Sequence, residues 1–118
     1  MQIKTFKQAC KKLKIDPAKT LPDVSKMPKH LQKPLLATAM LFIIAEALND
    51  GWKPDWNNDE QKWAPWFWLN KPGFRFYDSY YVITNSYSAG GSRLCYKTRE
   101  LSDYAGKTFI KLYKDLMV

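Results

Sequence analysis

Residues 51–73 read GWKPDWNNDEQKWAPWFWLNKPG and hold every tryptophan of the chain, at Trp52, Trp56, Trp63, Trp66 and Trp68. An indole carries the largest contact area of any side chain, and its N–H needs a partner once buried. One short segment cannot hide five of them alone. Either the rest of the chain wraps around it as a core, or part of it stays exposed to grip a partner. Its Pro, Asn and Asp suit an irregular excursion, and loops beyond about fifteen residues are uncommon in compact domains unless functional. Trp63 to Leu69 has the composition to pair briefly as a strand. If the indoles form the core, Trp52 and Trp66 are the buried ones. Trp52 directly follows an apolar helix, and Trp66 lies between Pro65 and a sheet. Trp56 and Trp63, amid Asn57, Asn58, Asp59, Glu60, Gln61 and Lys62, then stay exposed.

Upstream, Thr5 and Gln8 have the spacing of a capping box, and Phe6, Ala9, Cys10 and Leu13 recur at i, i+3, i+4 and i+7. This predicts a basic amphipathic helix within residues 1–14, ended by Asp16-Pro17. A core helix is expected over 28–50. Its run LLATAMLFIIAEAL is apolar on nearly every side, and Asn49-Asp50-Gly51 stops it. The run is short of the roughly twenty apolar residues a bilayer crossing needs and contains Glu46, which favours a core helix over a membrane span.

Downstream of the Trp-rich loop, residues 74–97 read as a sheet. Phe74–Tyr77, Tyr80–Ser88 and Ser92–Lys97 are rich in aromatic and β-branched residues, with Gly90-Gly91 as a hairpin signal. A two-residue turn there would set Tyr87 against Leu94, Asn85 against Tyr96 and Ser86 against Cys95. Residues 98–118 then predict a last helix packed on the sheet, with Leu101, Tyr104, Ala105, Phe109, Leu112 and Leu116 on one stripe and Asp103 paired to Lys107. Gly106 weakens that helix by about 1 kcal/mol relative to Ala, so it marks a close approach to an aromatic neighbour. The expected fold is a single α+β domain: two N-terminal helices, a three-stranded antiparallel meander and a C-terminal helix.

The net charge is +8, and it is unevenly placed. Lysines crowd the first third, which holds only Asp16 and Asp23 against them, so that lobe attracts polyanions or simply forms a solvated helix face. Cys10 and Cys95 form no secreted cysteine framework and are expected to be reduced. The N-terminus has no apolar core or cleavage site of a signal peptide, which places the protein in the cytoplasm.

Catalytic chemistry finds little support. His30 is the only histidine, so nucleophile–base arrangements lack a cast, and two distant cysteines with one histidine give no metal-ligand spacing. The five glycines form neither GxGxxG nor a P-loop. Asp50, Asp55, Asp59 and Glu60 lie among the tryptophans, yet Asp and Asn are also what turns prefer, so a glycosidase pair or carbohydrate platform is the weaker reading. Neither enzymatic activity nor a metal or cofactor is expected.

Single-strand nucleic-acid binders combine cations that track phosphates with aromatics on which bases stack. Lys4, Lys7, Lys11, Lys12, Lys14, Arg75 and Arg93 are the phosphate candidates, and Trp56, Trp63, Trp66 and Tyr80 the stacking or interface candidates. GFRFY faintly matches the aromatic strand of an RRM, but the element order is wrong for that fold. The leading expectation is an accessory binder of single-stranded DNA or RNA. The alternative is a structural or protein-interaction component that uses an aromatic patch, with a protein partner or a second copy; no membrane partner is expected.

TFKQACKKLKIDPAKTLPD, ALNDGWKPDWNN, PWFWLN and GSRLCYKTRELSDYAGKTFIKLYKDL span most of the chain in order. In these pieces, GWKPDW and SRLCYKTREL above all, the chain resembles a group of short uncharacterised proteins of Bacteroidetes genomes and their phages. The resemblance implies a small intact α+β protein carried on mobile elements, and it brings no established activity or functional residue. The lysine face of the first helix is denser here than in that group.

Overall fold

The computed structural model describes residues 2–86, 88 and 93–118. In chain order it has α1 (Phe6–Leu13), α2 (Pro17–Thr20), α3 (Lys29–Asn49), β1 (Lys62–Trp68), β2 (Arg75–Val82), α4 (Arg99–Thr108) and α5 (Ile110–Met117), an α+β arrangement.

α1 starts where its capping pair predicts. Thr5 Oγ1 accepts from the Gln8 N–H at 3.1 Å, and Gln8 Oε1 reaches back to accept from the Lys4 N–H at 2.6 Å. It ends earlier than expected, because Lys14 turns left-handed (φ 60°) and the Ile15 N–H donates to the Cys10 carbonyl. Asp16-Pro17 therefore opens the single turn α2, with Asp16 Oδ1 accepting from the Ala18 N–H. α1 packs on α3 and buries Ala9 and Cys10.

α3 is the spine. α1, α4 and α5 pack against it, and it buries Ala37, Leu41, Ile44, Ala45 and Ala47. The cover is not all-round, since Leu31, Leu35 and Phe42 each keep more than a third of their surface exposed. Among the described residues it is the one helix long and apolar enough to cross a membrane by length and composition. Asp50 (φ 48°) and Gly51 (φ 89°) end it. The Asn49 side chain then pins that end to the segment before α4: Nδ2 donates to the Cys95 carbonyl at 3.0 Å, and Oδ1 accepts from the Lys97 N–H at 3.1 Å.

The sheet differs from the expected meander. β1 lies inside the Trp-rich stretch and pairs antiparallel with β2, from Lys62 opposite Val82 to Trp68 opposite Arg75. A bulge at Trp66/Phe67 leaves Tyr77 as the extra residue of β2. Of the expected third strand, the described residues contribute one bridge, Tyr96 to Trp63, closed by N–H···O bonds of 2.9 and 2.6 Å. Tyr96 thus meets β1 rather than Asn85. The Gly90-Gly91 turn and the Tyr87–Leu94 pairing lie outside the described residues. The Asn and Asp cluster at 55–59 makes its turn, but KWAPWFW beyond it pairs along its length with β2 and is a strand.

The last helix is divided. Thr98 Oγ1 caps α4 by accepting from the Leu101 N–H at 3.1 Å, and the break falls at Phe109 (φ −106°, ψ 28°) before α5. The expected Asp103–Lys107 pair is not among the ion pairs of the described residues; Lys107 Nζ sits over the Phe76 ring, 5.3 Å from its centroid. Gly106 does mark a close approach, facing Pro65 and Phe76. Inside, Phe67 lies between Phe74 and Tyr113, each 4.9 Å away by ring centroid. Two hydroxyl pairs lock elements together: Tyr96 with Tyr113 at 2.8 Å, and Ser79 of β2 with Ser102 of α4 at 2.7 Å.

Candidate functional site

The pleat of β1 sorts its aromatics. Pro65 and Phe67 face α4 and the core, so Trp66 and Trp68 point to the opposite face of the hairpin. There Trp66 meets Tyr80 edge-on at 5.2 Å, Tyr80 lies 6.0 Å from Tyr77, and Tyr77 lies 4.6 Å from Trp68. These four rings form one strip that remains 40–47% exposed, and Leu69 extends it at the hairpin tip with 56%. The Tyr80 hydroxyl donates to the Tyr77 oxygen at 3.2 Å, which holds its pKa above the ordinary phenol value.

The charges bordering this face have partners. Arg75 lies over Trp68 at 5.8 Å and donates to the carbonyls of Asn70 and Gly73 at 3.0 and 2.7 Å, bracing the turn. Asp78 accepts from the Ser79 N–H and pairs with Arg99 at 2.8 Å; these two contacts, the backbone one first, keep its carboxyl below the usual range. Arg99 also lies 5.7 Å over Trp63, which packs on Tyr81 at 5.1 Å and is half-buried.

The first part of the Trp-rich segment is built by its carboxylates. Glu60 accepts the Trp52 indole N–H at 2.8 Å and the Asp55 N–H at 3.1 Å, and the Trp52 bond is the main reason its pKa is lowered. Asp55 accepts from the Asn57 N–H and from Asn58 Nδ2, while Asn58 Oδ1 accepts from the Glu60 N–H. Lys62, fully buried, donates its ammonium to the carbonyls of Glu60 and Ile83 and lies 4.8 Å over the Trp56 ring. Trp52 and Trp56 are both half-buried as a result.

The observed distribution of indoles thus differs from the expected one at Trp66, Trp56 and Trp63, and Trp52 is half-buried rather than buried. Trp66 is exposed rather than core, because a residue next to Pro65 on a strand must face the other way. Trp56 and Trp63 are half-covered, because Lys62 and Arg99 lie over them. Trp68, Tyr77 and Leu69 belong to the exposed strip although sequence reasoning missed them. The signal was the WFW alternation, readable once the segment is taken as a strand.

The phosphate candidates divide as well. Lys4, Lys7, Lys11 and Lys14 are exposed on or beside α1, and half-buried Lys12 pairs with Asp50 at 2.9 Å. α1 packs on α3 whereas the hairpin packs on α4, so the lysine face and the aromatic strip are separate surfaces. Arg93 instead lines a groove of about 690 Å³ with Leu13, Phe42, Glu46, Trp52, Lys53 and Trp56. The structure therefore brings Trp66, Tyr80 and Arg75 together on the hairpin, and Trp56 with Arg93 in the groove, but not the full expected set.

Cys10 and Cys95 are both buried. Burial pushes both thiols up, Cys95 to about 11. Among the described residues no group of three or more His, Cys, Asp or Glu is placed to hold a metal ion. No family model, curated protein or solved structure matches the chain.

Proposed function

We propose that the chain is a small, non-enzymatic, cytoplasmic binding protein whose hairpin face docks a protein partner, in the manner of a phage or prophage interaction component. The observation that carries this reading is the strip Trp66–Tyr80–Tyr77–Trp68, contiguous and 40–47% exposed, with its bordering charges already engaged. Trp and Tyr dominate interface energetics, and contiguous apolar patches on a small protein mark contact sites. The likeness of GWKPDW and SRLCYKTREL to proteins on mobile elements agrees with an accessory role of this kind. Placing photoreactive benzoylphenylalanine at Leu69 tests it in cells. Protein adducts support the reading, and adducts to nucleic acid alone, or none, reject it.

A second reading, accessory binding of single-stranded nucleic acid, is favoured by the groove. It sets Trp52 and Trp56 beside Lys53 and Arg93, with the end of the lysine-rich α1 at its wall. This reading expects an oligonucleotide to quench tryptophan emission, raised salt to weaken the effect, and Trp56→Ala or Arg93→Ala to abolish it. No quenching at low salt with micromolar protein removes it.

A further inference from the structure

We infer that the occupant of the hairpin face is a second copy of the same chain, in a two-fold face-to-face dimer; this rests on the protein-docking reading of that face. Three observations lead there, namely the area of the strip, its charge and the order of its rings.

The area is that of a weak dimer. An aromatic side chain presents about 150–250 Å² in full, so rings exposed by 40–47% offer roughly 60–120 Å² each. Trp66, Trp68, Tyr77 and Tyr80 with Leu69, which is 56% exposed, amount to roughly 350–550 Å² per copy. Two copies bury roughly 700–1,100 Å², a range that reaches the roughly 1,000 Å² expected of a specific but weak interface.

Charge selects the occupant. A partner recruited by the +8 of this protein would be acidic and would be drawn to α1, where the lysines are exposed. The strip offers such a partner nothing, because Arg75 is bound to the Asn70 and Gly73 carbonyls and Asp78 to Arg99. For the same reason a second copy meets no uncompensated like charge there. The lysine lobes lie on a different surface and stay in solvent, where salt screens their repulsion.

The order of the rings suits a two-fold axis. The strip runs from Trp66 and Tyr80 at one end to Tyr77 and Trp68 at the other, an indole and a phenol at each end. A two-fold axis through its middle lays each indole–phenol pair on the opposite pair of its partner, the self-matching that a closed dimer requires. Sheets stack in this way at about 10 Å.

Sedimentation velocity over a wide concentration range tests the inference. The expected result is a mass that rises from one chain toward two, with dissociation in the micromolar range. A Trp68→Ser/Tyr77→Ser variant that keeps the wild-type melting temperature should weaken association by about thirtyfold or more. A Lys7→Glu/Lys11→Glu variant should dimerise at least as well as wild type. A wild-type monomer at every concentration, or a hairpin variant that associates as strongly as wild type, overturns the dimer. Cross-linking from Leu69 separates the two levels of the argument. Adducts to a different protein with a strictly monomeric chain sink the dimer and leave the docking reading standing; no adducts sink both.

Discussion

A methyl group at Gly106 would lie 2.7 Å from the Cβ of Pro65, and the Phe76 ring would be 2.8 Å away on the same side. α4 can rest on the hairpin only because that position has no side chain. Gly106→Ala gains about 1 kcal/mol of helix propensity, but Pro65 is held in β1 and cannot yield as a flexible chain would. Overpacking of this kind costs about 1–3 kcal/mol and more for rigid neighbours. Urea denaturation should show a net loss of stability, opposite to the sign propensity alone gives.

The buried hydroxyls of Tyr96 and Tyr113, 2.8 Å apart, satisfy one another. Tyr113→Phe strands the Tyr96 hydroxyl and should cost about 1–3 kcal/mol. The double Phe variant should cost less than the sum of the single changes, which a thermodynamic cycle measures.

Both phenols are held above their ordinary range, burial being the main cause. A pKa raised in the folded state means that the contribution to stability is complete below the unfolded value, about 10 for tyrosine, and is lost as pH climbs above it. Urea midpoints should therefore fall above about pH 10. The fall should be shallower in the double Phe variant.

Asn49 uses a donor and an acceptor on the same segment, the Cys95 carbonyl and the Lys97 N–H. Asn49→Asp keeps the acceptor and sets an oxygen against the carbonyl. It should destabilise by about 1–3 kcal/mol, no less than Asn49→Ala, in thermal or urea unfolding.

The helices were legible because their signals are local. Thr5 and Gln8 state the start of α1, and the run around Leu41 and Ile44 states a core. Gly106 announced its aromatic neighbour for the same reason. The sheet was harder, because Trp63 pairs with Tyr81 on one side and with Tyr96, far along the chain, on the other, and aromatic composition alone places no register. For the site, Trp66 and Tyr80 were named together and do adjoin, whereas Trp68 follows from alternation only once the segment is taken as a strand, and Tyr77 depends on a bulge that no spacing rule reveals. The lysines of α1 and Arg75 share a charge but not a surface, which only the packing of α1 on α3 and of the hairpin on α4 decides.

Trp66→Ser and Trp68→Ser should cost little in stability compared with a core ring, since each indole already keeps 40% or more of its surface in water. Thermal melts within a few degrees of wild type would agree; collapse of the fold would place these rings in the core after all.

The ammonium of Lys62, closed in by two carbonyls and the Trp56 ring, has a practical corollary. Amine-reactive dyes and tethers will decorate the lysines of α1 while this one stays unlabelled in the native protein. Its late modification, read by mass spectrometry, becomes a built-in clock for opening of the segment that joins the tryptophan loop to the hairpin.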